Sequence, residues 1–266
     1  MSLDVAIEGI GLWSPLLPGW DSSRAILRGE AEPGAAAARP APPLLAPNER
    51  RRAPDSVLLA LDIAQQACAM ANRDPRDLPA IFSSGYGDLS ISDYLCATLA
   101  QAPQDLSPTK FHNSVHNAPA GYWAIATGCM ASTTAVSAGE HSFAAGLLEA
   151  ALLARTESIP VVYACYDVAA SGPLADVVPT RIAFGAALVL APRRVRSGAS
   201  LRLDMRASAS PRLAPEPSLL QSLHRDNPAA VGLPLLTALA RGKARTLALP
   251  AGPDADLHLE ISTWQN

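Results

Sequence analysis

The sequence predicts an α/β fold in which helices are layered on a mixed β-sheet. Short apolar runs of the kind that form buried strands alternate with segments whose apolar residues recur at helical spacing. One β-branched run passes through a sharp turn directly into an Ala- and Leu-rich helix, a junction typical of α/β folds. With 266 residues, of which 49% are hydrophobic, the chain is long enough to bury a sizeable core.

Composition and charge exclude several classes of protein. High apolar content with a net charge of -3 excludes a mainly disordered chain. No apolar run reaches the roughly 18 residues of a spanning helix, and Met1–Asp4 lacks the basic stretch of a signal peptide. We therefore expect a cytoplasmic protein without a transmembrane segment. The balance of 21 basic and 24 acidic residues gives no footprint for nucleic acid as a partner.

The first third of the chain predicts two strands and two helices, separated by a Pro- and Ala-rich loop that carries Arg50–Arg52. In order, the elements are a strand over Asp4–Leu12 that ends in a Gly-x-Gly turn, a short helix from Trp20, an exposed loop over Glu30–Pro54, a helix over Asp55–Asn72 and a strand over Leu78–Ser83. Asp21 or Ser22 is the expected cap of the first helix, and Asp55 can cap the second.

The middle of the chain predicts four more strands and two helices around a polar stretch. In order, these are a helix over Ile91–Ala100, the polar stretch Ser107–Ala120, strands over Gly121–Ala126 and Thr133–Ala138, a helix over Ser142–Ala154, and buried strands over Ile159–Tyr166 and Ile182–Leu190. Between Ala138 and Ser142 there is no room for a loop. A nucleophile elbow, in which a strand turns sharply into a helix N-terminus, is built in this way.

The C-terminal part predicts an edge strand followed by two helices and two short strands. These cover Leu201–Ala207, Glu216–Leu223, Pro228–Ala240, the neighbourhood of Leu247 and Leu257–Ile261. We expect residues 1–210 to form the main domain and residues 211–266 a short extension that packs on the same domain. No internal repeat is present.

In the order and spacing of several segments, the chain resembles the β-ketoacyl synthases of the thiolase superfamily, over about residues 4–207. The matching segments are Ile7–Pro15, Trp20 with Leu27–Gly29, Arg51–Arg52 with the helix from Asp55, Ser107–Pro108, Asn117 with Ala120–Gly121, Gly128, and Ala138–Ser142 at the place of the family's Thr-Ala-Cys-x-Ser elbow. The resemblance implies a thiolase-like fold corresponding to the N-terminal half of a ketosynthase, with an incomplete C-terminal half.

Two stretches give a finer resemblance. Phe111–Asn117 and Ser142–Leu148 are similar to the short, chain-length-factor-like ketosynthase homologues that accompany full ketosynthases in aryl polyene gene clusters. Such subunits pair with an active ketosynthase, carry a changed residue at the elbow and shape the end of the acyl tunnel.

The family's chemistry requires a thiolate at the elbow and two histidines. In this register the thiolate position is Glu140, with Gly139, His141 and Ser142 as neighbours. A carboxylate is a poor acyl acceptor because the mixed anhydride hydrolyses readily. The family's His-Gly-Thr and Asn-Ser-Phe-Gly-Phe-Gly-Gly motifs do not occur in the chain, and His224 matches neither. We therefore expect no catalytic residue for condensation.

The cysteines do not replace the missing nucleophile. Cys129 follows Gly128 in a predicted loop, with no helix N-terminus behind it to stabilise a thiolate. Cys165 ends a buried strand, and we expect all four cysteines to be small buried residues. No CxxC pair occurs among them. Glu140 itself is either part of the pocket or a structural acid whose charge is met by the helix N-terminus.

The resemblance also assigns a subunit contact to the stretch around Lys110–Asn117, which would reach toward the acyl tunnel of a partner. Its candidate interface and tunnel residues are Lys110, Phe111, His112, Ser114, His116 and Asn117. The i, i+4 spacing of His112 and His116 would suit a metal, but no third ligand is near in sequence, so we expect neither a metal nor another cofactor.

Two kinds of function follow from these observations. The first is a non-catalytic subunit that forms a heterodimer with a full-length β-ketoacyl-acyl carrier protein synthase and meets the acyl carrier protein through that partner. The alternative is a freestanding acyl-thioester hydrolase or decarboxylase, or a homodimeric acyl-binding protein, that uses Glu140.

Overall fold

The computed structural model describes residues 2–35, 39–192, 199–208 and 218–262. Within them one mixed sheet has the strand order β3-β2-β4-β5-β1-β6-β8-β7. β2 pairs in parallel with both β3 and β4, and the other pairs are antiparallel. The strands are β1 (Ser2–Trp13), β2 (Ala80–Ser83), β3 (Thr133–Val136), β4 (Val161–Asp167), β5 (Phe184–Pro192), β6 (Ala199–Ala207), β7 (Arg245–Pro250) and β8 (Ala255–Ile261).

Helices cover both faces of the sheet. They are α1 (Trp20–Arg28), α2 (Pro47–Arg52), α3 (Asp55–Ala71), α4 (Leu89–Gln101), α5 (Pro108–His112), α6 (Ala118–Thr127), α7 (Ser142–Glu157), α8 (Ser218–Asp226) and α9 (Leu233–Arg241). Alternate residues of β4 point to opposite faces, as the pleat requires. Val162 and Ala164 join the apolar cluster that holds α3 and α6, whereas Tyr163 and Cys165 join the cluster that holds α1, α7 and α9. The α/β layering predicted from sequence is confirmed.

The predicted Gly-x-Gly turn is wrong, because Gly9 and Gly11 lie inside β1, which continues to Trp13. Both glycines face the backbone of α3. A Cβ on Gly11 would lie 1.9 Å from the carbonyl oxygen of Ile63, and one on Gly9 would lie 2.0 Å from that of Ala67. The pair therefore serves close packing of α3 on β1.

The strand predicted over Gly121–Ala126 is also wrong, because these residues lie within α6. Asn117 occupies the N-cap position, Pro119 lies in the first turn, and Gly128 ends the helix in the left-handed region at φ 71°. These are ordinary helix start and stop signals. The short apolar run between them has no period that separates helix from strand.

Smaller corrections concern caps and loops. The cap positions of α1 and α3 are Gly19 and Pro54, and neither helix has a side-chain cap. Asp55 forms an ion pair with Arg39 instead. The loop predicted over Glu30–Pro54 contains α2, which carries the three consecutive arginines.

The C-terminal part extends the same sheet. The predicted edge strand over Leu201–Ala207 is wrong as an edge, because β6 lies between β1 and β8. The expected domain boundary at 210/211 and the expected start of α8 at Glu216 lie outside the described residues, whereas β7 and β8 form where expected. No helix of the described residues is long and apolar enough to cross a membrane.

Candidate functional site

The predicted elbow is present between β3 and α7. The chain leaves β3 at Val136, forms a 3-10 turn over Gly139–His141 and enters α7 at Ser142. Gly139 takes a left-handed conformation at φ 56°, which glycine adopts readily. The Ser142 hydroxyl closes the turn, because it accepts a 2.9 Å bond from the Ala138 amide and donates a 2.8 Å bond to the Gly139 carbonyl.

The first turns of α7 are fixed from below by β2 and β4. A Cβ on Gly146 would lie 2.7 Å from the ring of Tyr163, so the glycine lets the helix approach the sheet. The Tyr163 hydroxyl donates a 2.6 Å hydrogen bond to the Phe143 carbonyl and accepts one of 3.3 Å from Ser83. The elbow is therefore held on a rigid base, and Glu140 is exposed above it.

The neighbours of Glu140 do not form an acid/base pair with it. The Nδ1 atom of His141 is buried and has no hydrogen-bond partner among the described residues. Burial and the charges of Glu140 and Asp167 raise the pKa of Tyr86, which comes from the loop after β2. Glu140 thus lies beside a tyrosine that keeps its proton, on a turn whose position favours negative charge.

A buried carboxylate lies next to the elbow, and no pattern in the sequence indicates it. Asp167, at the end of β4, is 1% exposed. It accepts hydrogen bonds from the Ser84 hydroxyl at 2.7 Å and from the Gly85 and Tyr86 amides at 3.1 Å each. Burial raises its pKa to about 6, against the lowering effects of these donors and of His116.

Three cysteines are buried and protonated or hydrogen-bonded within the core. Burial raises the pKa of Cys68 and of Cys165 to about 12, with Asp74 and Asp167 adding to it respectively. Cys129 is buried and its thiol donates to the Leu78 carbonyl at 3.4 Å. The expectation of burial is wrong for Cys96, which lies exposed on α4. No cysteine occupies the elbow turn.

The predicted interface residues differ in their exposure. Lys110 is exposed with its ammonium 4.5 Å above the ring of Tyr94, and Phe111, His112 and Asn117 are also exposed. His116 turns inward, where its Nε2 donates to the Ser84 carbonyl at 3.0 Å.

Ser114, the remaining member, donates locally to the Phe111 carbonyl. Asn113, which belongs to the same stretch but is not among the candidate interface and tunnel residues, is buried and accepts a 3.2 Å bond from the Tyr122 hydroxyl. Among the described residues, no group of three or more His, Cys, Asp or Glu side chains could hold a metal ion.

Most of these residues belong to a long stretch of sequence without charged side chains. The chain contains no Asp, Glu, Lys or Arg from Phe111 to Gly139, although much of this stretch faces solvent. Its large apolar side chains have high exposed fractions: Phe111 60%, Val115 50%, Ile125 84% and Met130 95%. We call these four residues, together with the edge strand β3, the open face.

Comparisons with known proteins bear on the fold and the family. Residues 20–250 match the family model described as "Beta-ketoacyl synthase, N-terminal domain". A comparison with curated proteins gave no match.

Among solved structures, the ketosynthase ApeO in complex with its chain length factor ApeC from Xenorhabdus doucetiae matches at 20% identity and TM-score 0.73, over 97% of this chain and 99% of that one. The ishigamide ketosynthase/chain length factor matches at 14% and 0.69, over 98% and 99%. A type II polyketide synthase acyl-carrier protein in complex with its ketosynthase bound to the hexaketide (AntDE:AntF) matches at 11% and 0.76, over 99% and 100%.

These matches span almost the whole of both chains, so the C-terminal helices and strands belong to the shared fold. The family match covers most of the sequence, including the elbow and the open face. The chain therefore belongs to the β-ketoacyl synthase N-terminal domain family and has its thiolase-like α/β fold.

Proposed function

We propose that this chain is a non-catalytic, chain-length-factor-like subunit. It forms a heterodimer with an active, full-length β-ketoacyl-acyl carrier protein synthase in polyketide or fatty-acid-type biosynthesis, with aryl polyenes as the product class, and it shapes the acyl tunnel. The observation that carries the proposal is Glu140 at the elbow, where condensation needs a thiolate.

Loss of the nucleophile removes acyl transfer from this chain. A carboxylate at Glu140 would give a mixed anhydride that water cleaves before a carbon–carbon bond forms. The buried thiols offer no substitute, since the pKa values of Cys68 and Cys165 are far above neutral pH. The partner must therefore supply the nucleophile and the histidines, and the acyl carrier protein meets this subunit only through that partner.

The open face supports the pairing part of the proposal. Charged residues are depleted from the centres of protein interfaces, whereas large apolar residues are retained there. Ile125 and Met130 expose most of their surface on and just beyond α6, and β3 has one unpaired edge among the described strands. The complexes named among the structural matches are of the kind proposed here.

Co-expression with the ketosynthase encoded nearest to this chain tests the proposal. We expect the two to co-purify, with a mass by light scattering equal to one copy of each, and we expect a change in product length when this chain is omitted. A wild-type chain that never co-purifies and leaves product length unchanged contradicts the proposal. A lone homodimer would favour the freestanding acyl-binding alternative.

Ile125→Lys tests whether the open face makes the contact. Lysine is a good helix former and lies favourably near a helix C-terminus, so α6 should keep its stability. Burying its charge in an apolar interface should weaken pairing at least about 100-fold. Thr246→Lys, on exposed β7 at the opposite edge of the sheet, is the matched control and should pair normally. Equal pairing by both variants would remove the open face from the proposal.

A further inference from the structure

The buried carboxylate of Asp167 organises the loop that follows β2. Its two oxygens accept three hydrogen bonds, from the Ser84 hydroxyl and from the Gly85 and Tyr86 amides. The Ser84 hydroxyl in turn accepts the Gly87 amide at 2.8 Å. Four consecutive residues of this loop are therefore fixed by one side chain, directly or through Ser84.

The same loop connects the elbow to the stretch that contains Lys110–Asn117. The Ser84 carbonyl can only accept, so the Nε2 atom of His116 carries the proton in their 3.0 Å hydrogen bond. On the other side, Ser137 donates to the Gly85 carbonyl at 3.2 Å. A Cβ on Gly85 would lie 2.9 Å from the Gly139 carbonyl oxygen, so the loop packs directly on the elbow turn.

Asp167 is itself held from behind. The side-chain amide of Asn227 donates to the backbone carbonyls of Asp167 at 2.8 Å and of Ile182 at 2.7 Å. The oxygen of the same side chain accepts the Ala229 amide at 2.8 Å. The end of β4 is thus tied to the segment before α9, and the carboxylate cannot shift without breaking buried bonds.

The three donors that converge on Asp167 call for an acceptor at both oxygens. A carboxylate satisfies all of them, whereas asparagine would turn an NH₂ group toward at least one donor. Burial raises the pKa of Asp167 to about 6, so the carboxylate is still mainly ionised at neutral pH. Its ionised form therefore suits the geometry of the loop.

We infer that Asp167 is a positioning residue which, through Ser84 and His116, determines where the stretch Lys110–Asn117 stands beside the elbow and the open face. The link to pairing rests on the proposed function, because that stretch matters to a partner only if the open face is used. The link from Asp167 to His116 stands on the hydrogen bonds alone.

Histidine ring resonances of the isolated, isotopically labelled chain test the link without any partner. The signal absent from His116→Asn identifies His116 among the five histidines. We expect this signal to move in Asp167→Asn and to stay in place in Asp176→Asn, which removes an exposed carboxylate after β4. A His116 signal that is unchanged in folded Asp167→Asn overturns the inference.

Pairing with the ketosynthase tests the consequence. Asp167→Asn should weaken binding about tenfold or more, and Ser84→Ala, which removes one of the three donors, should weaken it less. At saturating subunit, Asp167→Asn should also change the product-length distribution.

Arg73→Ala controls for general loss of stability, because it leaves the buried Glu8 carboxylate without its ion-pair partner at the far end of α3. Equal weakening of pairing by Arg73→Ala, or wild-type pairing and product length with Asp167→Asn, overturns the inference. If the wild-type chain itself does not pair, the proposed function fails and the ring spectrum still decides the positioning role.

Discussion

Glycines lie against helix α3 and on helix α6 in very different surroundings. Gly9 and Gly11 on β1 face the α3 backbone so closely that a Cβ on either would overlap a carbonyl oxygen. Gly121 lies in α6, and a Cβ there would have no non-local atom within 4 Å among the described residues. Contacts with α3 require the first pair, whereas no contact within the described part of the chain requires Gly121.

The difference distinguishes the close packing of α3 on β1 from the exposed surface of α6. Glycine within a helix lowers its stability by about 1 kcal/mol relative to alanine, so a helical glycine without a neighbour needs another explanation. Gly121 is exposed and lies one turn before Ile125, which belongs to the open face. If the proposed heterodimer forms, close approach of the partner at this position would account for the absence of a side chain.

The largest loss of stability is expected where β1 packs against α3. Gly11→Ala places a methyl group 1.9 Å from the Ile63 carbonyl oxygen, and backbone on both sides prevents relaxation. We expect the free energy of unfolding to fall by more than about 3 kcal/mol, a large part of the total stability of a domain. Urea denaturation followed by circular dichroism measures it. A loss below about 1 kcal/mol would show that α3 can move away from β1.

Asp167, like Gly9 and Gly11, is surrounded by contacts within the chain. Its buried carboxylate should make the stability of the protein depend on pH. Its pKa is raised from 3.8 to about 6 on folding, so the native state holds a proton that the unfolded chain has already released between these values. The free energy of unfolding should therefore fall as pH rises from about 4 to about 6, by about 3 kcal/mol from this group, and then level off.

Asp167→Asn isolates that contribution because asparagine does not titrate. Denaturation curves between pH 4 and 7 give the free energy of unfolding of both proteins. As pH rises, the wild type should lose stability relative to Asp167→Asn. The matched curve for Asp176→Asn should lack the drop. A wild type that gains stability relative to Asp167→Asn as pH rises would contradict the raised pKa of Asp167.

Much of the fold could be predicted because its signals are local. The apolar period of α3, the buried runs of β4 and β5, and the turn residues at the elbow all lie within single segments of sequence. The strand predicted over Gly121–Ala126 is wrong because a short apolar run fits a strand or a buried helix equally well. The turn predicted at Gly9 and Gly11 is wrong for another reason, because only the packed position of α3 explains why these two residues are glycines.

The elbow with Glu140 could be predicted from the sequence, whereas the buried hydrogen bonds of Asp167 next to it could not. Strand, turn and helix follow one another in sequence, so the elbow was visible and its changed residue with it. Asp167 is separated from Ser84 by 83 residues and from Asn227 by 60, and no period or motif connects them. Buried polar networks of this kind arise from long-range packing, and a single sequence does not reveal which donors will meet which acceptor.

The smallest expected effect gives the sharpest test of the comparison. Gly121→Ala introduces the same methyl group as Gly11→Ala, into empty space on α6, and should raise the free energy of unfolding of the isolated chain by about 0.5–1 kcal/mol. The same variant should bind the ketosynthase more weakly, by about tenfold if the partner packs on the helix at this point. Urea denaturation and titration calorimetry measure the two quantities on one preparation. Opposite signs for stability and pairing would assign the glycine to the partner, because no contact among the described residues requires it. A gain in stability with unchanged pairing would exclude the face of α6 around Gly121 from the contact.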